Sequence, residues 1–193
     1  MKAETGTTGL SAMRLKAATF RSYVGTLERD GKRDAVMALV PPETAALMIA
    51  PPLAGSWMDM RHMGDIIHAV ERIGGLTAVR DFARKAVNDA RKPYMGVVEG
   101  VLKLFGTSPA TLLKRMNSLV RSFIEGVDYR FIPISERSGT LEIEWATDLE
   151  IAMSEFVAQV PTLQTLLDAC GVKGIVGSPE RLGPNRARFH IQW

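Results

Sequence analysis

Residues 56–126 decide the fold, and they read SWMDMRHMGDIIHAVERIGGLTAVRDFARKAVNDARKPYMGVVEGVLKLFGTSPATLLKRMNSLVRSFIEG. Apolar side chains recur in this stretch at the three- and four-residue spacing of amphipathic helices. A first helix is expected to begin at a cap on Asp59 and to end at Gly74 and Gly75. Pro93 is expected to end a second helix, because proline removes a hydrogen-bond donor from the helix interior. The stretch therefore predicts a helical core.

A further helix is predicted to begin at Ser108, with Pro109 in its first turn, and to end at Gly126. Its apolar residues form a wide face, which is typical of a helix buried on more than one side. They are Leu112, Leu113, Met116, Leu119, Val120, Phe123 and Ile124. The basic residues off that face are Lys114, Arg115 and Arg121.

The chain before this core divides into two parts. Residues 1–12 are polar and lack an apolar period, so they are predicted to be a flexible leader. Residues 13–55 are predicted to be a helical N-terminal segment, in which two Pro-Pro pairs end short helices.

After the core, the period changes from helical to alternating. The first strand of residues 127–193 contains Pro133, which favours an edge position in a sheet. Thr147 and Glu150 have the spacing of a capping box and predict the start of a helix there. The chain then ends in an alternating strand that closes on Trp193. This order predicts a ββαββ arrangement with an antiparallel sheet of about four strands.

The predicted fold class is therefore α+β, with a mainly helical N-terminal and central part packed on a C-terminal antiparallel sheet. One domain is expected over residues 13–193, in parts 13–55, 56–126 and 127–193. A chain of 193 residues buries about 70% of its unfolded surface, so neither a disulfide nor a metal is needed for folding.

The charge distribution does not indicate a nucleic-acid partner. The net charge is only +3, and no basic tail is present. Arg186 and Arg188 with Lys173 are expected to form a basic strip on the outer face of the sheet. Glu142 and Glu144 lie on the polar face of a strand predicted to be half exposed, where they are expected to neutralise this strip.

The compartment follows from what the sequence lacks. Cys170 is the single cysteine, so no internal disulfide can form, and it is expected to be a buried, small hydrophobic residue. No run of about 20 apolar residues and no signal peptide is visible. The expectation is a cytoplasmic protein without membrane insertion.

Few residues carry catalytic or metal-binding chemistry. His62 and His68 are six residues apart on one predicted helix, so their side chains point about 120° apart and do not easily share a metal. His190 lies on the polar face of the last strand, and the HExxH, paired CxxC and Walker motifs are absent. We therefore expect no catalytic residue, no metal site, no cofactor and no enzymatic activity.

Methionine is the one side chain in unusual abundance, with ten copies in the chain. These methionines have two interpretations: flexible filling of the core, or the wall of an adaptable pocket for a small apolar ligand. The residues of this candidate pocket are Trp57, Met60, Met63, Tyr94, Met116 and Phe123.

The order of motifs resembles that of haem-nitric-oxide/oxygen-binding (H-NOX) domains and their haem-less relatives. The chain opens with MRLKAATFRSYVGTLERDGKRDAV at 13–36, and LVPPE follows at 39–43. Trp57, the Ser-Pro cap with its helix ending in glycine, and the closing Trp193 complete the pattern. It is still more similar to an uncharacterised bacterial paralogous family of the myxobacterial type, and the likeness covers 13–193.

This resemblance implies an α+β fold that vinyl-reductase-type and vesicle-tethering (TRAPP-like) domains also share. The helix that carries the iron-ligating histidine in the haem sensors corresponds to residues 111–123, where no histidine occurs. The Tyr-x-Ser-x-Arg motif of the porphyrin carboxylates is also absent. The resemblance thus favours the architecture and argues against haem.

Two functions are left open by the sequence. The first is a haem-less ligand-sensing or regulatory domain that binds a small apolar molecule between the helical core and the sheet. The alternative is a non-catalytic protein–protein interaction module that forms a homodimer or a scaffold, with its pocket filled by side chains. An enzyme ranks below both, because no nucleophile–base pair stands out.

Overall fold

The structure is a computed structural model. It describes the backbone of residues 13–105 and 107–193, and the side chains of these residues except those at 90–99, 101 and 103–105. The predicted leader, residues 1–12, lies outside the described residues.

The described elements confirm the α+β prediction. In chain order they are β1 (Arg14–Lys16), α1 (Ala17–Arg29), α2 (Arg33–Met37), α3 (Pro42–Ile49), β2 (Trp57–Asp59), α4 (Arg61–Phe105), α5 (Pro109–Lys114), α6 (Met116–Val120), β3 (Ile124–Glu125), β4 (Val127–Ser135), β5 (Ser138–Trp145), α7 (Met153–Val157), α8 (Gln159–Ala169), β6 (Ile175–Val176), β7 (Glu180–Gly183) and β8 (Arg186–Gln192). No helix in the described part of the chain is long and apolar enough to cross a membrane.

Helix α4 is one long element with a single kink. The kink lies at Gly74 and Gly75, and Gly75 has a φ of 69°, which glycine adopts without steric cost. The predicted interruption at these glycines is thus confirmed. The predicted break at Pro93 is wrong, because helical backbone continues through it to Phe105. A proline removes one helical hydrogen bond, and a long helix retains those of the neighbouring turns.

The single helix predicted from Ser108 to Gly126 is also corrected. Two short helices, α5 and α6, meet at Arg115, whose φ of −104° and ψ of 9° interrupt the helix. The last residues of the predicted helix, Ile124 and Glu125, instead form β3 and pair with β1. Tertiary pairing has replaced local helix propensity at this end.

A three-stranded sheet, ordered β2-β1-β3, was not predicted from the sequence. Leu15 pairs with Met58 on one side and with Ile124 on the other. This sheet therefore joins the start of the described chain to the segments before α4 and after α6. Strands of two or three residues are too short to show an alternating period.

The large sheet is antiparallel, with the order β4-β5-β8-β6 and with β7 also paired to β8. Its first strand is at the edge, which confirms the prediction from Pro133. The sheet has five strands instead of the predicted four or so, because residues 180–183 form the additional strand β7. The closing residue Trp193 follows β8 and packs on Phe131, with ring centroids 6.2 Å apart.

The predicted capping box before α7 does not form. Thr147 Oγ1 accepts a hydrogen bond from the backbone N–H of Leu149 at 3.1 Å, and residues 147–152 are not helical. The extended chain is held instead by the end of the sheet, because Arg181 donates to the Ile151 carbonyl at 2.7 Å. The helix begins only at Met153.

The core consists of two apolar clusters. The first, here called the helical cluster, is centred on α1 and α4 and includes Phe20 and Ile66, both fully buried. The second, the sheet cluster, lies between the large sheet and α5–α8 and includes Phe156 and Phe189, also fully buried. Residues that pack against both clusters are therefore the first candidates for a ligand-binding site.

Candidate functional site

Three partly buried residues pack against both apolar clusters: Met13, Val127 and Met153. We call this group the methionine seam. Met13 is fixed by its backbone, because its carbonyl accepts a hydrogen bond from the Met60 N–H at 3.0 Å. Gly126 has a φ of 79° and lies against the side chain of Met13. The seam is thus bounded by well-defined backbone, while two of its three side chains are flexible.

Three of the predicted pocket residues lie in the two clusters that meet at the seam. Met60 and Met63 are buried in the helical cluster. Met116 is buried in the sheet cluster, with 2% of its surface exposed. The sequence did not single out these two methionines, because Met13 precedes β1 and Met153 is the first residue of the five-residue helix α7, which is too short to show a clear period.

The other predicted pocket residues lie elsewhere. Trp57 is on β2, and among the described residues it belongs to neither cluster. The Lys16 ammonium lies 4.0 Å from the centre of its indole ring. Phe123 is partly buried, and its carbonyl accepts a hydrogen bond from the Lys16 N–H at 2.8 Å. The side chain of Tyr94 lies outside the described residues. The six-residue pocket therefore stays a prediction.

The side chain of Asn117 attaches helix α6 to strand β4. Its Nδ2 donates to the Tyr129 carbonyl at 3.0 Å, and its Oδ1 accepts from the Tyr129 N–H at 2.7 Å. The side chain thereby takes the place of a neighbouring strand at the outer edge of β4. Further along the same edge, Pro133 has no backbone N–H to donate. Both features leave fewer backbone groups of β4 available to pair with a strand of another chain.

The solvent side of α5 and α6 carries a polar surface cavity of about 370 Å³. Its lining residues are Thr111, Lys114, Arg115 and Ser118. Lys114, Arg115 and Arg121 are exposed, as predicted. This cavity lies outside the apolar interior and differs in character from the predicted ligand pocket.

Each of the three histidines has a polar partner. Nδ1 of His62 lies 2.7 Å from Thr44 Oγ1, which donates its proton to Asp65. Thr44 is fully buried, and its proton is committed to a carboxylate, so it is not arranged as a nucleophile. His190 lies 3.2 Å from Glu180 on the outer face of the sheet. Among the described residues, no group of three His, Cys, Asp or Glu side chains could hold a metal.

His68 links α4 to α7. Its Nε2 lies 3.1 Å from Glu155 Oε1, and the Glu155 side chain is 12% exposed. Glu155 lies over Gly64, where an added Cβ would come within 3.1 Å of its carboxylate. The hydrogen bond to Glu155 raises the pKa of His68 above 6.5, and Asp65 and Glu71 raise it further, although partial burial opposes them.

This pair makes the stability of the fold depend on pH. The pKa of His68 is raised on folding, so its ion pair stabilises the native state fully below pH 6.5. That contribution is lost as the pH rises through the native pKa. We expect the difference in unfolding free energy between the wild type and a His68→Gln variant to shrink between acidic and mildly alkaline pH. Urea titrations across this range measure the difference.

A matched control is His190→Gln, because His190 also contacts a glutamate but lies on the exposed outer face of the sheet. Its unfolding free energy should follow the wild type across the pH range more closely than that of the His68 variant. A pH-independent difference between the wild type and His68→Gln would contradict the prediction.

Glu142 on β5 is buried, which corrects the prediction of a half-exposed position. Its carboxylate accepts hydrogen bonds from Arg130 at 2.5 Å and from Arg188 at 2.6 Å. The two arginine side chains exclude water from a carboxylate that remains close to the protein surface. The hydrogen bond from Arg188 lowers the pKa of Glu142 most, and Arg130 lowers it further. Desolvation of the carboxylate opposes both effects. Glu142 thus neutralises Arg188 of the predicted basic strip, and Glu144 lies 4.0 Å from Arg186.

Comparisons with known proteins identify solved structures that share this architecture. No protein-family model matches the sequence, and no curated protein sequence matches it. Solved structures do match over most of the chain. The Fe(II) unliganded H-NOX protein from K. algicida has a TM-score of 0.67 at 10% identity, over 92% of this chain and 96% of that one.

Two further structures agree with this likeness. A structure described as modulating haem redox potential through porphyrin distortion has a TM-score of 0.59 at 10% identity, over 93% of this chain and 100% of that one. An oxygen-binding H-NOX domain related to soluble guanylate cyclases has a TM-score of 0.54 at 11% identity, over 92% and 94%. The chain therefore has an H-NOX-like α+β fold.

Proposed function

We propose that this chain is a non-catalytic, ligand-sensing or regulatory domain that holds a small apolar molecule at the methionine seam. The observation that carries the proposal is that Met13 and Met153 pack against both apolar clusters while remaining partly buried. Methionine has three rotatable side-chain bonds and a polarizable sulfur, so it adapts its shape to an apolar guest. A ligand between the clusters would contact the helical half and the sheet half at once.

Haem is the cofactor that the structural neighbours suggest, and the described residues of helices α5 and α6 do not fit it. Haem iron is held by histidine, cysteine, methionine or tyrosine side chains. Helices α5 and α6 contain no histidine, cysteine or tyrosine, and their one methionine, Met116, is buried in the sheet cluster, whereas methionine ligates haem iron together with histidine. Asn117 on α6 is engaged with the backbone of Tyr129. Burial raises the pKa of Tyr129 and of the Cys170 thiol, which disfavours the anionic forms that bind iron.

The contacts across the seam suggest how binding would be transmitted. The Met13 carbonyl accepts a hydrogen bond from the N–H of Met60, the residue before α4, and Met153 begins α7. Helices α4 and α7 are also joined by the His68–Glu155 pair. A molecule that displaces Met153 from the two clusters would therefore change the packing of α7 on α4. Such a change between two packed arrangements is a common output of sensor domains.

The proposal is tested by filling the seam. The neutral apolar dye N-phenyl-1-naphthylamine is titrated into the protein and into a Met153→Phe variant. We expect saturable fluorescence enhancement in the wild type and about tenfold weaker binding in the variant, because the larger ring overpacks the seam. The control is Met37→Phe, since Met37 is also partly buried but packs against the helical cluster alone.

A haemin titration separates this proposal from haem binding. The proposal expects the absorption spectrum of haemin without axial protein ligation. A sharp, stoichiometric shift of the Soret band would overturn the haem-less part. Equal dye binding by the wild type, Met153→Phe and Met37→Phe would remove the seam as the ligand site.

A further inference from the structure

The segment from the last residue of α3 to the residue before β2, residues 49–56, presents apolar side chains to solvent. Ile49 is 64% exposed and Leu53 is 81% exposed, with Pro51 and Pro52 between them. Scattered exposed hydrophobic residues are normal on protein surfaces, so exposure alone decides nothing. The backbone of this loop is the unusual feature.

Every carbonyl oxygen from residue 51 to residue 56 accepts a hydrogen bond from within the protein. The donors in chain order are Arg21 Nη1 for residues 51 and 52, the Ser56 N–H for 53, the Ala18 N–H for 54, Lys16 Nζ for 55 and the Ala17 N–H for 56. The two prolines carry no N–H that would need a partner. Removal of water from this side of the loop therefore leaves no carbonyl unsatisfied.

The base of the loop is positively charged. The acceptors of Lys16 and Arg21 are loop carbonyls, and within the described part of the chain neither cation forms an ion pair with a carboxylate. Two cations thus lie at the base of a loop with an apolar tip. The Lys16 ammonium is 4.0 Å from the centre of the Trp57 ring. The loop is fixed in shape by the same hydrogen bonds that place the charges.

We propose that residues 49–56 form a docking surface for an anionic lipid membrane. Leu53 and Ile49 enter the boundary between headgroups and acyl chains, and Lys16 and Arg21 meet the lipid phosphates. An apolar tip and a basic base are the two signals that peripheral membrane binding combines. Lipid is favoured over a protein partner because satisfied carbonyls need no donors, and the acyl region offers none.

The test is co-sedimentation of the full chain with vesicles. One set is pure phosphatidylcholine, and the other is an equal mixture of phosphatidylcholine and phosphatidylglycerol. Each exposed cation near an anionic membrane contributes about fivefold in affinity, so we expect about twentyfold tighter binding to the mixed vesicles at low salt. High salt should remove most of that difference.

The variant Ile49→Ser/Leu53→Ser should lower binding to the mixed vesicles about tenfold, because two apolar side chains no longer enter the interface. The matched control is Ile134→Ser/Leu149→Ser, whose residues are 64% and 73% exposed on other parts of the surface. The control should bind like the wild type. Circular dichroism spectra of both variants establish that they are folded.

Three results would overturn the proposal. The first is absence of binding to the mixed vesicles at low salt. The second is equal loss of binding in the Ile49→Ser/Leu53→Ser variant and its control. The third is a concentration-dependent dimer that only the loop variant abolishes, without vesicle binding, since this would identify a second copy of the chain as the occupant.

Discussion

A Phe156→Ala variant should lose about 3–5 kcal/mol of unfolding free energy, as fully buried aromatic residues do on truncation. Phe156 has no exposed surface and lies on the short helix α7, inside the sheet cluster. Its ring is 5.3 Å from that of Trp145 and 5.7 Å from the Arg181 guanidinium carbon. Truncation therefore removes contacts with the sheet and leaves a cavity beneath the loop that precedes α7.

Urea unfolding followed by circular dichroism measures this loss. Leu149→Ala, in the loop that precedes α7, is the control, because Leu149 is 73% exposed and its truncation should change stability by no more than about 0.5 kcal/mol. A loss below about 1 kcal/mol for Phe156→Ala would mean that the sheet cluster relaxes to fill the space, and the packing inferred for α7 would be wrong.

The Phe156 variant also bears on the proposed function. Met153 lies one helical turn before Phe156, so truncation of the aromatic ring should loosen the methionine seam from the sheet side. If the seam holds the apolar ligand, a saturating ligand concentration should restore part of the lost stability, since ligand that binds only the native state stabilises it.

Local periodicity predicted the large elements of the fold. Alternation placed β4, β5 and β8, and Pro133 marked the edge strand before any pairing was known. The glycine pair at Gly74 and Gly75 marked the kink in α4. These signals lie within a few residues of the feature they predict, which is why a single sequence reveals them.

The remaining features depend on contacts between distant residues. The pairing of Leu15 with Met58 and Ile124 joins segments about 40 and 110 residues apart. Pro93 seemed a helix end by local rules, yet the helix runs through it. Asn117 lies within a wide apolar face, and its role appears only once β4 lies beside it.

The candidate site was predicted in part. Met60, Met63 and Met116 were selected because methionine is abundant, and they occupy the two clusters that meet at the seam. Met13 and Met153 form the seam with Val127, but Met13 precedes β1 and Met153 begins a helix too short to show a clear period. Tertiary packing decides which methionine lies between the helical cluster and the sheet cluster. The spacing of apolar residues along the sequence does not contain that information.

A Glu142→Gln variant should lose about 2 kcal/mol of unfolding free energy at neutral pH. The amide keeps the shape of the side chain but removes the charge that Arg130 and Arg188 surround. Hydrogen bonds to charged groups contribute about 1.5–3 kcal/mol each, and breaking a deeply buried ion pair costs about 3–5 kcal/mol. We expect a loss below that of a deeply buried ion pair because Arg130 is 67% exposed. Water therefore solvates its guanidinium group when the charge of residue 142 is removed.

The pH dependence gives this prediction its sharpest form. The pKa of Glu142 is lowered from 4.5 on folding, so its ion pair stabilises the native state above pH 4.5. The contribution is lost as the pH falls through the native pKa, because the unfolded chain binds the proton more readily. The difference between the wild type and Glu142→Gln should therefore disappear in acid. Glu144→Gln is the control, since Glu144 is 57% exposed and lies 4.0 Å from Arg186. Equal losses in the two variants at neutral pH would show that burial under two arginines adds nothing to an ordinary surface ion pair.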